Sequence, residues 1–393
     1  MREFGLYSLA MSVLGILVVP ATFGFPQLLV REIAAYRVKE EWGLIRGLLR
    51  FAGRTSLLAS IGIALLGGLV LWLLSGRFSG ETLRVLALAF VALPFWALLQ
   101  LHGAALRGFK QILAGQWVST VIRPLSFLLL VGAAWLFARG MVDASLALGL
   151  HIGASGIALV LAFYLLRNQL CCSVPPNVVN QNTSAWVRSA LSLAFLALLN
   201  LIPQHAGILM LGWMRSPEEV GLYKVAYQTG LLIPFGLMAV NTAIAPTLAQ
   251  LYAMGDKAKL RKVMLTASGV ATAFALPFVL LFTLRGSWFL RLAFGEAFTE
   301  SMTALAIITG GQLINAATGP VGHFLIMSGH EKKATFSVGI GVGINLFLNV
   351  VLVLLWGIEG AAIVTTITLG IVNFLNVYFT FRILRLQHGK KEI

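Results

Sequence analysis

Glu3-Phe4-Gly5-Leu6-Tyr7, at the start of the chain, returns 216 positions later as Glu219-Val220-Gly221-Leu222-Tyr223, led in by Ser216-Pro217-Glu218. Each copy opens an apolar run long enough to cross a bilayer core, which takes about 20 residues as a helix. Working outward from the two copies, Ala10 matches Ala226, Tyr36 matches Tyr252, Leu44 matches Leu260 and Gly53 matches Gly269, all without a gap. Farther on the offset becomes 221, where His102 matches His323 and Gly108 matches Gly329. A repeat of this length divides the chain into two similar halves.

Of the 393 residues, 59% are hydrophobic and only 11% are charged, with a mean hydropathy of +0.89. Soluble domains carry about 25% charged residues. The composition therefore excludes a soluble enzyme, a disordered chain and a disulfide scaffold. Eleven apolar stretches are readable: 4–28, 55–75, 83–105, 113–137, 144–166, 189–212, 221–247, 263–284, 301–326, 335–355 and 360–381. The expected class is an all-α polytopic membrane protein with about eleven transmembrane helices and no extramembrane domain.

The net charge is +15, and its distribution is topological. One set of alternating loops holds 20 Lys and Arg residues, concentrated in Arg31–Arg54, Lys257–Lys262 and Arg382–Lys391; the other set holds 8. The richer side is cytoplasmic by the positive-inside rule. This predicts a multi-pass protein of the inner, cytoplasmic membrane with a cytoplasmic C-terminus, in contact with membrane lipids and not with nucleic acid. Both motif copies then share one orientation, which makes the halves parallel repeats about an axis normal to the membrane. The second half has a helix, 189–212, ahead of its motif; the first half has no counterpart. The expectation is a twelve-helix plan lacking its first helix, with a true eleven-span protein as the alternative. The corresponding organisation is an N-terminal lobe at 1–166, a cytoplasmic linker at 167–188 and a C-terminal lobe at 189–393. Residues 37–50 read as an interfacial amphipathic helix, with Trp42, Leu44, Ile45 and Leu48 set against Arg46 and Arg50.

The paired motifs, the basic loop from Arg31 to Arg54 and Gly357-Ile358-Glu359-Gly360-Ala361-Ala362 opening the last span occur in an order that resembles the polysaccharide-transporter, or oligosaccharide-flippase, branch of the MOP (multidrug/oligosaccharidyl-lipid/polysaccharide) exporter superfamily. The resemblance covers nearly the whole chain. It implies two six-helix lobes around a central cavity and transport by alternating access. It also implies a polyprenyl-pyrophosphate-linked oligosaccharide as substrate, a surface-polysaccharide or O-antigen-type unit, moved across the cytoplasmic membrane alongside other polysaccharide-assembly proteins. Two alternatives stay open: an exporter of another amphiphile, such as lipid II or a drug, and a membrane glycosyltransferase or ligase. No cofactor, metal cluster or catalytic residue is expected, so the chain is not expected to be an enzyme.

No Asp or Glu stands in the interior of any span, whereas Arg123 lies near the middle of 113–137. A charge at that depth costs at least ~2.5–3.5 kcal/mol on insertion scales. Gln116, Ser119, Thr120 and Ser126 recur beside it near the helical period. Its planar fork of donors suits phosphate, so Arg123 is a candidate for the pyrophosphate or an acidic sugar. The competing reading has Arg123 bond backbone carbonyls at a Pro124 kink. Lys224, with Gln228 one turn deeper, is a candidate exit site or a headgroup anchor. Arg31 is a candidate first contact for the arriving pyrophosphate or a topology anchor. Asn200 and Gln204, and likewise Gln312, Asn315, Asn345 and Asn349, could bond sugar hydroxyls or hold helices together.

Overall fold

Glycine and proline decide where the apolar stretches become separate helices. The computed structural model describes residues 1–77, 79–137, 143–173 and 183–386, and its regular elements are all helical. The first expected span is divided into α1 (Arg2–Thr22) and α2 (Phe25–Val38). Phe23 and Gly24 between them have positive φ, and Pro26 stands in the first turn of α2, where its missing N–H costs nothing. A Cβ on Gly24 would lie 2.4 Å from the Ala190 carbonyl oxygen, so only glycine allows that approach.

Next come α3 (Trp42–Leu73), α4 (Gly80–Gly108), α5 (Ile112–Trp117) and α6 (Arg123–Phe137), with a π-helical turn, Val118–Ile122, between the last two. They are followed by α7 (Ala144–Ser173) and α8 (Thr183–Met214). Residues 42–50 are the first turns of α3, separated from α2 by a turn at Lys39-Glu40-Glu41; this corrects the expected interfacial helix over 37–50. The apolar residues there face a core with Phe25, Leu29 and Leu106, not a headgroup layer.

The second motif opens α9 (Pro217–Gly230), where the Ser216 hydroxyl accepts from the Glu219 N–H as N-cap. The span expected at 221–247 breaks at Leu231–Ile233 before Pro234, which starts α10 (Pro234–Met254). Then come α11 (Lys257–Leu284), a short α12 (Gly286–Phe294), α13 (Met302–Thr318), α14 (Val321–Met327) and α15 (Glu331–Leu386). Gly319 and Pro320 divide the stretch expected at 301–326. Gly357, with φ 53° and ψ −124°, kinks α15 between the two stretches expected at 335–355 and 360–381. Arg215 caps the first arm by donating from Nε and Nη2 to the Val353 and Leu354 carbonyls, at 3.1 and 2.6 Å.

Among the described residues, seven helices are long and apolar enough to cross a bilayer, or eight if the two segments of α8, bent by 53°, count as one span. That criterion does not establish eleven, because it takes α15 as a single helix and passes over the broken stretches at 231–233 and 319–320. The chain forms two compact units, Leu9–Leu201, and Met1–Ser8 with Ile202–Ile393. Residues 183–201 of α8 therefore group with the first unit, and 174–182, within the expected linker, lie outside the described residues.

Lipid tails are as apolar as leucine, so packing between membrane helices relies on close fit and polar contacts more than on burial. In the first unit α4 is central, packed against α2, α3, α5 and α7. Trp186 Nε1 donates to the Tyr36 hydroxyl at 3.0 Å, and Arg37 donates to the Phe109 carbonyl at 2.6 Å. In the second unit α13 packs against α9, α11 and α15. The two motif copies meet there: a Cβ on Gly5 would fall 1.6 Å from the Pro217 carbonyl oxygen, and one on Gly221 would fall 3.2 Å from that of Met1.

Candidate functional site

Pro124 cannot donate to the Thr120 carbonyl four residues before it, so the α-helical ladder fails at this point. The Arg123 N–H instead bonds the Val118 carbonyl, five residues back, which is the π turn. Such turns re-aim the side chains that follow them and recur at functional sites. Here the Arg123 guanidinium lies over the Trp96 ring of α4, with Cζ 4.4 Å from the ring centroid. A cation in that position gains ~0.5–1 kcal/mol when exposed and about 2 when desolvated.

Trp96 is itself held in place. Its Nε1 donates to Ser155 Oγ on α7 at 3.1 Å, and Ser155 Oγ donates to the His151 carbonyl at 2.8 Å. The His151 ring lies 5.6 Å from Trp96 and 4.9 Å from Phe127 of α6. A cavity of about 380 Å³ opens beside this stack, lined by Trp96, Gln100, Ser119, Thr120, Arg123 and Pro124. None of its lining residues is acidic, so a bound anion would meet a guanidinium, two hydroxyls and a carboxamide without a competing carboxylate.

The other sequence candidates are dispersed. Arg31, exposed on α2, is bound through Nε and Nη2 to Glu32 Oε1 at 3.0 and 2.8 Å. Lys224 is half-buried on α9, within electrostatic range of His205 on α8, and Gln228 is exposed one turn farther along. Gln204 is exposed on α8; Asn200 lies on the same helix, and its side chain is outside the described residues. By unit, Arg31, Arg123 and Asn200 belong to Leu9–Leu201, and Gln204, Lys224 and Gln228 to the other.

Other amides join α13 to α15, or one arm of α15 to the other. Asn373 Nδ2 donates to Asn315 Oδ1 at 3.0 Å, and Asn345 Nδ2 donates to Thr368 Oγ1 at 3.0 Å. Sequence reasoning missed a second cavity, of about 390 Å³, lined by Arg46, Arg50 and Arg167 among apolar residues. Those arginines entered the loop-charge count as topology signals. The available clue was the spacing of Arg46, Arg50 and Gly53, which share one face of a helix.

A near-continuous set of apolar helices in two units, with a cation and no carboxylate lining the Arg123 cavity, defines a multi-pass membrane protein. The chain belongs to the family described as "Polysaccharide biosynthesis protein", whose model matches residues 1–252; the MatE family model matches residues 192–351. A curated relative, named "Probable low-salt glycan biosynthesis flippase" in Haloferax volcanii, is 22% identical over 386 residues, covering 96% of this chain and 76% of that protein. Among solved structures, an inward-facing multidrug resistance MATE family transporter of the MOP superfamily shares a TM-score of 0.76 at 11% identity, over 99% of this chain and 94% of that one. A lipid II flippase in an inward closed conformation shares 0.69 at 14% identity, over 97% and 85%. The two solved structures share the fold; the family and the named relative place the chain among membrane flippases and exporters and not among enzymes.

Proposed function

We propose that this protein flips a polyprenyl-pyrophosphate-linked oligosaccharide across the cytoplasmic membrane by alternating access. The observation that carries the reading is the Arg123 cavity, whose lining offers a guanidinium stacked on Trp96 with hydroxyl and amide groups beside it and no acidic residue. A pyrophosphate suits the planar fork, and sugar hydroxyls suit Gln100, Ser119 and Thr120. Family membership and the name of the Haloferax relative support a glycan as the headgroup. In this reading Lys224, Gln228, Gln204 and Asn200 supply further contacts along the path, Arg31 meets the arriving headgroup, and the C-terminus is cytoplasmic. Membrane lipids and other polysaccharide-assembly proteins are the partners.

The short 285–301 segment argues against the glycosyltransferase alternative. Its Arg291 is engaged by Glu296 at 2.6 Å, leaving little for a catalytic loop. The test is leaflet transfer of a fluorescent polyprenyl-pyrophosphate oligosaccharide in proteoliposomes. Arg123→Ala is expected to lower the rate at least tenfold, since a charge-assisted contact is worth about 1.5–3 kcal/mol; Arg123→Lys should restore part of it. Transfer by Arg123→Ala at the unmodified rate would overturn the reading.

A further inference from the structure

The cavity at Arg46, Arg50 and Arg167 lies apart from the Arg123 cavity and shares no lining residue with it. Arg46 and Arg50 stand in the first three turns of α3, and Arg167 in the last two turns of α7, so three guanidinium groups gather at one end of the unit. That is the end rich in Lys and Arg, facing the cytoplasmic leaflet by the positive-inside rule. α4 packs against both α3 and α7 and supplies Leu101 and His102 to the lining. His102 Nδ1 is engaged by its own helix, at 2.7 Å from the Leu98 carbonyl oxygen.

The wall also holds an unfilled space. Gly53 lines the cavity, and a Cβ built on it meets no atom within 4 Å. A glycine inside a helix costs roughly 0.5–1 kcal/mol relative to alanine, and no packing neighbour accounts for it here. Toward mid-membrane the two walls continue as exposed apolar faces. On α3, Leu57 and Ile61 follow Gly53 one and two turns along, and on α7 Val160 precedes Phe163; Val160 is 70% exposed. Apolar groups exposed to this degree on a membrane helix suit acyl chains.

We propose that this groove is a binding site for an anionic phospholipid of the cytoplasmic leaflet, its phosphate held by Arg46, Arg50 and Arg167 and its chains lying along α3 and α7. Charge complementarity selects the occupant, because the lining carries three cations and no acidic residue. The lining has no Asn, Gln, Asp or Glu to read sugar hydroxyls, which favours a plain phosphate headgroup over a glycan. Basic pockets between membrane helices on the cytoplasmic side suit such lipids. The inference does not depend on the flippase reading.

The experiment is native mass spectrometry of the detergent-purified full chain, titrated separately with phosphatidylglycerol, phosphatidylcholine, undecaprenyl phosphate and inorganic phosphate. One phosphatidylglycerol should be retained in at least tenfold preference to phosphatidylcholine. Arg50→Gln with Arg167→Gln should lose that preference. Gly53→Phe, which keeps every charge but fills the groove, should lose it as well, and Arg54→Gln, outside the lining, should keep it. Equal retention of the two phospholipids, or unchanged preference in both groove variants, would overturn the proposal. Displacement by millimolar inorganic phosphate would overturn it in favour of a soluble anion, and tighter retention of undecaprenyl phosphate in favour of a polyprenyl lipid.

Discussion

The two halves of the repeat treat their intramembrane polar residues in opposite ways. At the offset that relates His102 to His323, position 123 corresponds to position 344, next to Asn345. In the first half this register carries an arginine behind a π turn, stacked on Trp96 and lining a cavity. In the second half that register is Ile344, and the polar residue beside it, Asn345, is a buried amide that donates to Thr368 and accepts from Asn349 Nδ2 at 3.0 Å. Bilayer hydrocarbon demands that polar groups find partners within the protein. In the second half Asn345 closes on Asn349 and Thr368 within α15, and Asn373 closes on Asn315, which joins α15 to α13. The first half keeps a charge at a cavity wall, stacked on an aromatic ring, where intramembrane charge is costly and marks a functional candidate.

The largest expected effect separates these two roles directly. Arg123→Gln should lower glycan-lipid transfer about 10- to 150-fold, the range for losing a charge-assisted contact of about 1.5–3 kcal/mol. Asn345→Leu should leave the rate per folded molecule nearly unchanged. Parallel rate assays on the two variants, normalised to folded protein, check this. Equal losses would mean that the second half also binds substrate, and the contrast would fail.

Next in size is a contrast in packing. Gly5 sits in the second unit with its missing Cβ 1.6 Å from the Pro217 carbonyl oxygen, whereas Gly53 in the first unit faces open space. Overpacking costs about 1–3 kcal/mol and sometimes more, and a backbone oxygen cannot swing aside. Gly5→Leu should therefore markedly lower the melting temperature of the purified protein, while Gly53→Leu should leave it level or raise it slightly. A comparable fall in both would show that the groove beside Gly53 is closed in the membrane.

Neither glycine's role was legible in the sequence, although both belong to matched pairs of the repeat. The apolar stretches, the repeat and Arg123 could be read because composition and periodicity are local properties. Trp96 beneath Arg123 could not, because it comes from another helix and depends on how α4 meets the π turn. The breaks at Gly24 and Gly319 were written as glycine near proline, yet hydropathy averages across them. What holds glycine at these breaks is tertiary: a Cβ would meet Ala190 at Gly24 and Ser268 at Gly319. Arg46 and Arg50 were legible as one face of a helix, but their convergence with Arg167 was not, since loop counting discards which residues meet.

The smallest expected effect tests whether the amides of the second half are structural. Asn345→Ala removes the donor to Thr368 and one oxygen that Asn349 engages; Asn349 Nδ2 keeps its bond to the residue 345 carbonyl at 2.9 Å, while Thr368 Oγ1 loses this donor. Polar contacts between membrane helices average about 0.6 kcal/mol and reach about 1.7, so the loss should be near 1 kcal/mol in reversible unfolding. The double variant Asn345→Leu with Thr368→Val removes donor and acceptor together and fills the space with carbon. Its cost should be smaller than that of Asn345→Ala, because an unmade bond is penalised more than an absent pair. A double variant that is more damaging than the single one would show that these amides do more than join α15 to itself, and would bring the second half closer in kind to the first.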